Sequence, residues 1–388
     1  MRVHVIDPAA YTPPYDDALC RALATLGVQV ELQTTRFAYA PLAPAEGYVR
    51  NERFYRHARS RAGKLIWHLP EMLRYGAQLQ RADVAHFQWL PAQPLDLVAL
   101  RWWRARARLA GQRLPPLVLT AHDILPREAL ALQRRAQRAL YHCFDAIVVH
   151  SEQGRGRLLG ELPRAAERLH VIPHGALQPR LPGGERPHLP PELARKPGVP
   201  LVLFPGILRP YKGLEVLLAS WRMIQEGPEP PAGELWIAGL PRIDVAALRR
   251  SLPERARLLA RYLTEAELAG LLEAADLIVL PYRELESSGV AMLALGLGKP
   301  LLCSDQGAFP ELELAGAARC VAVDQPRPLA GALAQLLADE RERARLAAGA
   351  RAAAAGRYSW QQVGARTLEL YRSLLGERER GTGGSAGG

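Results

Sequence analysis

Residues 201–225 restrict the possible folds more than any other stretch of this chain. Leu201 to Phe204 is an apolar run rich in β-formers, broken by Pro205-Gly206, and Leu214, Leu217, Leu218 and Trp221 then recur at helical spacing. The segment reads as strand, loop, helix. Its loop carries Arg209 and Lys212 just where the helix begins. Cations suit helix C-termini, because the first turn already presents unpaired N–H groups and the positive end of the dipole. Two cations there are either solvated surface charges or the walls of an anion site of the kind that holds phosphate.

The same alternation of strand and helix runs from the first residue. Arg2 to Asp7 reads as a strand, Asp16 to Leu26 as a helix and Gln29 to Thr34 as a second strand, a βαβ opening that argues for a parallel, doubly wound α/β sheet. The intervening loop, residues 8–15, has no Gly-x-Gly-x-x-Gly, so a dinucleotide fingerprint is absent. A chain of 388 residues suits two domains. The Pro/Gly-rich stretch 179–198 separates residues 1–178 from residues 199–356. Residues 357–376 read as a closing helix, and residues 377–388 as a disordered tail ending in Gly and Ser.

Two further strands, Asp83–Trp89 and Leu117–Asp123, end in polar residues. His86, Gln88, His122 and Asp123 therefore fall beyond carboxyl ends of strands, where open α/β sheets collect ligands. In the second half, Asp276–Tyr282 reads as a strand. The loop Glu286-Ser287-Ser288-Gly289 then leads into an apolar helix, Val290 to Leu297. Ser287 and Ser288 serve either to cap that helix or to face a ligand oxygen beside its free N–H groups.

The formal net charge is +11. It reflects either an Ala/Leu/Arg-rich composition or an anionic partner. Residues 50–81 and 101–108 interleave Arg with Phe54, Tyr55, Trp67, Tyr75, Trp102 and Trp103. Such stretches either rest on anionic lipid or form solvated helices whose aromatics face the core. No recognisable nucleic-acid module accompanies the charge. Cys20, Cys143, Cys303 and Cys320 are scattered in apolar contexts without zinc-type spacing, and predict buried free thiols in a reducing compartment. No apolar run reaches the roughly 18 residues that span a bilayer. The expectation is a cytoplasmic protein, peripheral on the membrane's inner face if the basic patches meet lipid.

Phe204-Pro-Gly-Ile-Leu-Arg-Pro-Tyr-Lys-Gly213 and the helix after it resemble the donor-diphosphate loop of glycosyltransferase family 4, of GT-B fold. Gly206, Lys212 and Gly213 match the family's Gly-Arg, four residues, Lys-Gly; Ile207 occupies the Arg position and Arg209 is the nearest Arg. His122 matches the His of the family's Thr-x-His-Asp segment, which lies near the donor sugar. Gln306-Gly-Ala-Phe-Pro-Glu311 is similar to its Gly-Gly-x-Pro-Glu turn. Glu286 stands for the first of the family's two glutamates eight positions apart, while the second falls at Leu293 or Ala294.

The resemblance implies two Rossmann-like domains facing across a cleft. It implies transfer of a sugar from a nucleotide sugar to an acceptor hydroxyl, carbohydrate or lipid-linked, with retention as the default outcome. His122 and Glu286 would be the catalytic pair. Gly206, Arg209, Lys212, Ser287, Ser288, Gly289 and Glu311 would hold the donor, with neither metal nor cofactor and with no nucleic-acid partner. A non-catalytic nucleotide-sugar binder, or an epimerase of similar fold, is the alternative.

Overall fold

The computed structural model describes residues 1–58, 60–125 and 131–383. They form two compact units, one of the described residues up to 173 and from 360 to 383, the other of residues 174–359. The stretch 179–198 therefore belongs to the second unit, where the His188 amide bonds the Ala266 carbonyl at 3.2 Å.

The first unit is built on a parallel sheet of β1 (Arg2–Asp7), β2 (Gln29–Thr35), β3 (Val49–Phe54), β4 (Val84–Phe87), β5 (Leu117–Thr120), β6 (Ala146–Val149) and β7 (Leu169–Val171). Their order is β3-β2-β1-β4-β5-β6-β7. Val3, Val5 and Ile6 are fully buried, as are all four residues of β5 and of β6, the pattern of strands covered on both faces. The helices are α1 (Pro13–Thr25), α2 (Arg61–Gly76), α3 (Gln93–Leu109), α4 (Ala131–Tyr141) and α5 (Glu152–Glu161). Two apolar cores sandwich the sheet, one under α2, α3 and α4 and one under α1 and the chain's last helix.

The second unit has the order β10-β9-β8-β11-β12-β13, again all parallel. Its strands are β8 (Leu201–Pro205), β9 (Glu234–Ala238), β10 (Ala256–Leu259), β11 (Leu277–Leu280), β12 (Leu301–Ser304) and β13 (Ala318–Val321). Its helices are α6 (Leu214–Gln225), α7 (Val245–Arg250), α8 (Glu265–Ala274), α9 (Gly289–Gly296), α10 (Phe309–Leu314), α11 (Pro326–Ala338) and α12 (Glu340–Ala355). The helix α13 (Trp360–Gly383) returns to the first unit and lies on α1. Gly364 allows that approach, since a Cβ there would sit 3.0 Å from the Ala22 methyl. The tail expected from residue 377 is helical as far as Gly383; residues 384–388 lie outside the described residues.

Each sheet reverses its winding once, between β1 and β4 in the first unit and between β8 and β11 in the second. Loops leaving neighbouring strands diverge to opposite faces there, which opens a crevice at the carboxyl ends. Cys20, Cys143 and Cys303 are buried free thiols, but Cys320 is half-buried because it sits on the edge strand β13. Among the described residues no helix is long and apolar enough to cross a membrane.

Candidate functional site

In the second unit the switch point brings together the two loops that stood out in the sequence. After β8 the chain turns at Gly206 with φ of +102°, a backbone that favours glycine. A Cβ on Gly206 would lie 3.2 Å from both Lys212 Nζ and Val290 Cγ2, so the ammonium and the first turn of α9 meet over this glycine. Pro210–Lys212 makes a single 3₁₀ turn, and left-handed Gly213 starts α6. Lys212 is buried, its Nζ 4.8 Å from the centroid of the Tyr282 ring.

Arg209, which the sequence reading paired with Lys212, is placed differently from it. Its side chain is exposed and meets no hydrogen-bond or ion-pair partner among the described residues. The first turn of α6 instead carries Glu215, paired with Arg283, which also bonds Asp324 at 2.6 Å.

On the loop before α9, Glu286 and Ser288 are buried, Ser287 is half-buried and Gly289 is exposed. Ser288 Oγ accepts the Ala291 N–H at 3.3 Å, so this serine caps α9. Gly307 packs against the neighbouring Leu285, whose carbonyl oxygen would be 2.5 Å from a Cβ there. Glu311 forms an ion pair with Arg357. Leu293 and Ala294 are apolar positions on α9, so no carboxylate replaces the glutamate that the sequence lacks. Gly239 gave no signal in the sequence, yet at φ of +153° its Cβ would lie 1.8 Å from the Gly206 carbonyl oxygen.

In the first unit, the ends of β4 and β5 line a cavity of about 120 Å³ with Tyr11, Gln88, Trp89, Thr120, His122 and Asp123. Trp89 stacks on the His122 imidazole with centroids 5.0 Å apart, and Tyr15 meets it edge-on at 4.7 Å. His122 Nε2 is 3.1 Å from Gln88 Oε1 and its Nδ1 is 3.1 Å from His150 Nε2, while His150 Nδ1 is 3.0 Å from the Ile172 carbonyl oxygen.

That row of contacts fixes the protons. Burial drives the His150 pKa down to about 4, so the ring is neutral near pH 7. The Ile172 carbonyl can only accept, so His150 carries its hydrogen on Nδ1 and offers a lone pair at Nε2. His122 then donates from Nδ1, which places its own lone pair at Nε2, toward Gln88. Rotation of the Gln88 carboxamide offers an N–H to that lone pair, or an oxygen to a protonated Nε2. The arrangement suits a group that accepts and returns a proton at Nε2.

His86 does not share this role. Its Nδ1 lies 2.6 Å from Tyr371 Oη and its Nε2 2.7 Å from Thr120 Oγ1, and burial pushes its pKa down to about 3; it ties α13 to the sheet. The loop after β1 is shaped by Asp7, which accepts the Ala9 and Tyr11 N–H groups at 3.1 and 2.7 Å. Burial raises the pKa values of both Asp7 and Asp16, and the neighbouring Asp7 charge raises Asp16 further. Among the described residues no cluster of three or more His, Cys, Asp or Glu could hold a metal ion.

Residues 17–176 match the profile of Glycosyltransferase Family 4, and residues 199–339 that of Glycosyl transferases group 1. A D-inositol 3-phosphate glycosyltransferase of Corynebacterium urealyticum is 33% identical over 330 residues, covering 78% of this chain and 76% of the relative. The chain belongs to glycosyltransferase family 4.

Other relatives of this family 4 enzyme agree. A GDP-mannose:glycolipid 4-beta-D-mannosyltransferase of Xanthomonas campestris pv. campestris is 30% identical over 237 residues, 58% of this chain and 62% of that one. Among solved structures, a sucrose-phosphate synthase of Thermosynechococcus elongatus superposes with a TM-score of 0.71 at 20% identity, over 97% of this chain and all of that one. Anabaena Alr3699/HepE, determined with UDP and glucose, gives 0.66 at 19% identity over 96% and 100%. These similarities fix the fold as GT-B, and the family's reaction is glycosyl transfer.

Proposed function

We propose that this glycosyltransferase moves a hexose from a nucleoside-diphosphate sugar to a hydroxyl of a glycolipid or phosphorylated polyol acceptor. The buried Lys212 carries the proposal. An ammonium held against Gly206 and the start of α9 suits a departing diphosphate, whose charge grows as the glycosidic bond breaks. The α9 N–H groups left unbonded in its first turn add donors that need no reorganisation during the reaction. Glu286 on the adjoining loop would orient the sugar, with Ser287 and Gly289 beside it. Arg209, being exposed, would reach a phosphate only from the solvent side, and Glu311 would act through Arg357. His122 would handle a sugar or acceptor proton in the first unit's cavity.

Retention at the anomeric carbon is the outcome implied by the family resemblance. The acceptor hydroxyl attacks on the face the diphosphate leaves, and no protein nucleophile bonds to the sugar. The relatives' names point to GDP- or UDP-sugars as donors, and to glycolipid or inositol phosphate as acceptor classes. No metal or other cofactor is included in the proposed reaction.

A peripheral position on an anionic membrane, on its cytoplasmic side, completes the reading. The outer surfaces of α2, α3 and α4 expose Leu65, Ile66, Trp67, Val98, Trp102 and Leu132 amid many Arg side chains. The acids described within these helices, Glu71 and Asp96, are buried, and Arg138 of α4 pairs with Glu161 of α5 at 2.6 Å. Apolar side chains set in arginine fit a bilayer surface, not a nucleic acid.

Thermal stabilisation across nucleoside diphosphates and their sugars tests the donor assignment. At least one diphosphate is expected to raise the melting point, and Lys212→Ala to remove most of that rise. An unchanged rise in Lys212→Ala would dismiss the proposed diphosphate site. Proton NMR of the first-formed product reads the anomeric outcome, and sedimentation with anionic against zwitterionic vesicles reads the membrane part.

A further inference from the structure

A second cavity, of about 240 Å³, opens at the other end of β5 in the first unit. Leu117, the first residue of that strand, lines it, whereas Thr120 and His122 border the cavity described above. Three residue steps of strand, roughly 10 Å, separate Leu117 from Thr120. Four guanidinium groups border the second cavity, those of Arg104, Arg108, Arg113 and Arg378, against one carboxylate, Asp145.

The carboxylate is already engaged. Asp145 Oδ2 accepts the Leu117 N–H at 2.7 Å and lies 3.2 Å from Arg378 Nη2. Arg378 also donates to the Leu114 carbonyl, and Arg104 to the Cys143 carbonyl at 2.7 Å, so two of the four forks are held in place by main chain. Arg108 and Arg113 are exposed and have no side-chain partner among the described residues. Basic residues in the last turn of a helix complement its negative dipole end, which accounts for Arg106 and Arg108 on α3. It does not account for Arg113 in the following loop or for Arg378, which arrives from α13. Like charges brought from three parts of the chain to one hollow repel each other unless an anion joins them. Planar guanidinium forks match phosphate oxygens in pairs.

We propose that this cavity binds a phosphate group, carried by an anionic lipid headgroup or by a soluble phosphate ester, apart from the sugar-transfer site. Arg104 and Arg378 supply preset donors, and Arg108 and Arg113 close on the ligand.

The test compares the double variant Arg108→Gln/Arg113→Gln with Arg249→Gln/Arg250→Gln, which removes the same charge from exposed positions on α7. Both are made in a Lys212→Ala background so that the donor site contributes little phosphate binding. Calorimetric titration with inorganic phosphate decides the proposal. Arg108→Gln/Arg113→Gln should weaken binding at least tenfold and the α7 pair less than twofold. Equal weakening in both, or none in either, overturns the site. Sedimentation with phosphatidylglycerol-containing vesicles then assigns the source. Vesicle binding lost together with phosphate binding identifies a headgroup site, and vesicle binding kept while phosphate binding is lost identifies a soluble ester.

Discussion

His122 acquires a defined proton position through its contact with His150. With the Ile172 carbonyl holding one end of the row and Gln88 the other, the lone pair of His122 is set toward Gln88. His150→Phe keeps an aromatic ring in the space but removes the acceptor, so Nδ1 no longer has a reason to carry the hydrogen. We expect kcat to fall about tenfold or more, within the range general acid–base groups supply, with the donor KM nearly unchanged. His150→Gln, whose amide oxygen can accept from Nδ1, should recover much of the loss. Equal kcat in wild type and His150→Phe would remove the proton-positioning role. His122 was legible from a strand-end motif and Lys212 from its place at a helix start. His150 was not, because nothing local shows that two histidines from neighbouring strands face each other. Charge spacing along the loop did not show that Lys212 is buried and Arg209 exposed, because spacing does not reveal which side chain turns inward.

At the level of elements, the strand–loop–helix over residues 201–225 was readable because both flanks are strongly periodic and Leu201–Pro205 is buried throughout. β3 and β10 were not. Both are edge strands, one reading Val-Arg-Asn-Glu-Arg-Phe and the other with Arg257 half-buried, and edges carry charge that hides alternation. Gly213 shows how tightly the donor loop is specified. It is left-handed at φ of 67°, and a methyl group there would stand 2.1 Å from the Pro281 carbonyl oxygen. Gly213→Ala therefore combines backbone strain with a main-chain clash, costing about 3 kcal/mol and lowering the melting point by roughly 6–12 °C. The same shift moves Lys212, so diphosphate stabilisation should fall with it. Scanning calorimetry with and without diphosphate measures both effects. A variant as stable as wild type would mean the loop yields freely and is not the rigid cradle described.

Taken whole, the chain's balance of bound protons differs between its two units. The first unit buries His86 and His150 as neutral rings, with pKa values near 3 and 4. Between those values and 6.5 the unfolded chain binds protons that the folded unit refuses, so each histidine removes about 1.4 kcal/mol of stability per pH unit on acidification. The buried pair of Asp7 and Asp16 works in the other sense: their raised pKa values favour the folded unit at low pH, and that benefit is lost as pH rises. In the second unit Arg261 pulls Glu267 from its ordinary 4.5 down to about 2, so Glu267 removes stability only below about pH 4.5, while burial raises Glu265 and adds stability on acidification. Neither half of this balance could be read from the sequence, since burial and not residue order sets it. Asp16→Asn keeps a hydrogen-bonding group beside Asp7 but cannot ionise, which strips away the Asp16 part of the opposing contribution. In that variant, lowering the pH from 7 to 5 should move the first unit's melting transition down while the second unit's stays nearly fixed. The second transition is identified as the one that nucleoside diphosphate raises, because only the unit that holds the ligand gains from it. Two transitions falling together, or a first transition indifferent to acid, would show that the buried histidines do not govern this half of the molecule.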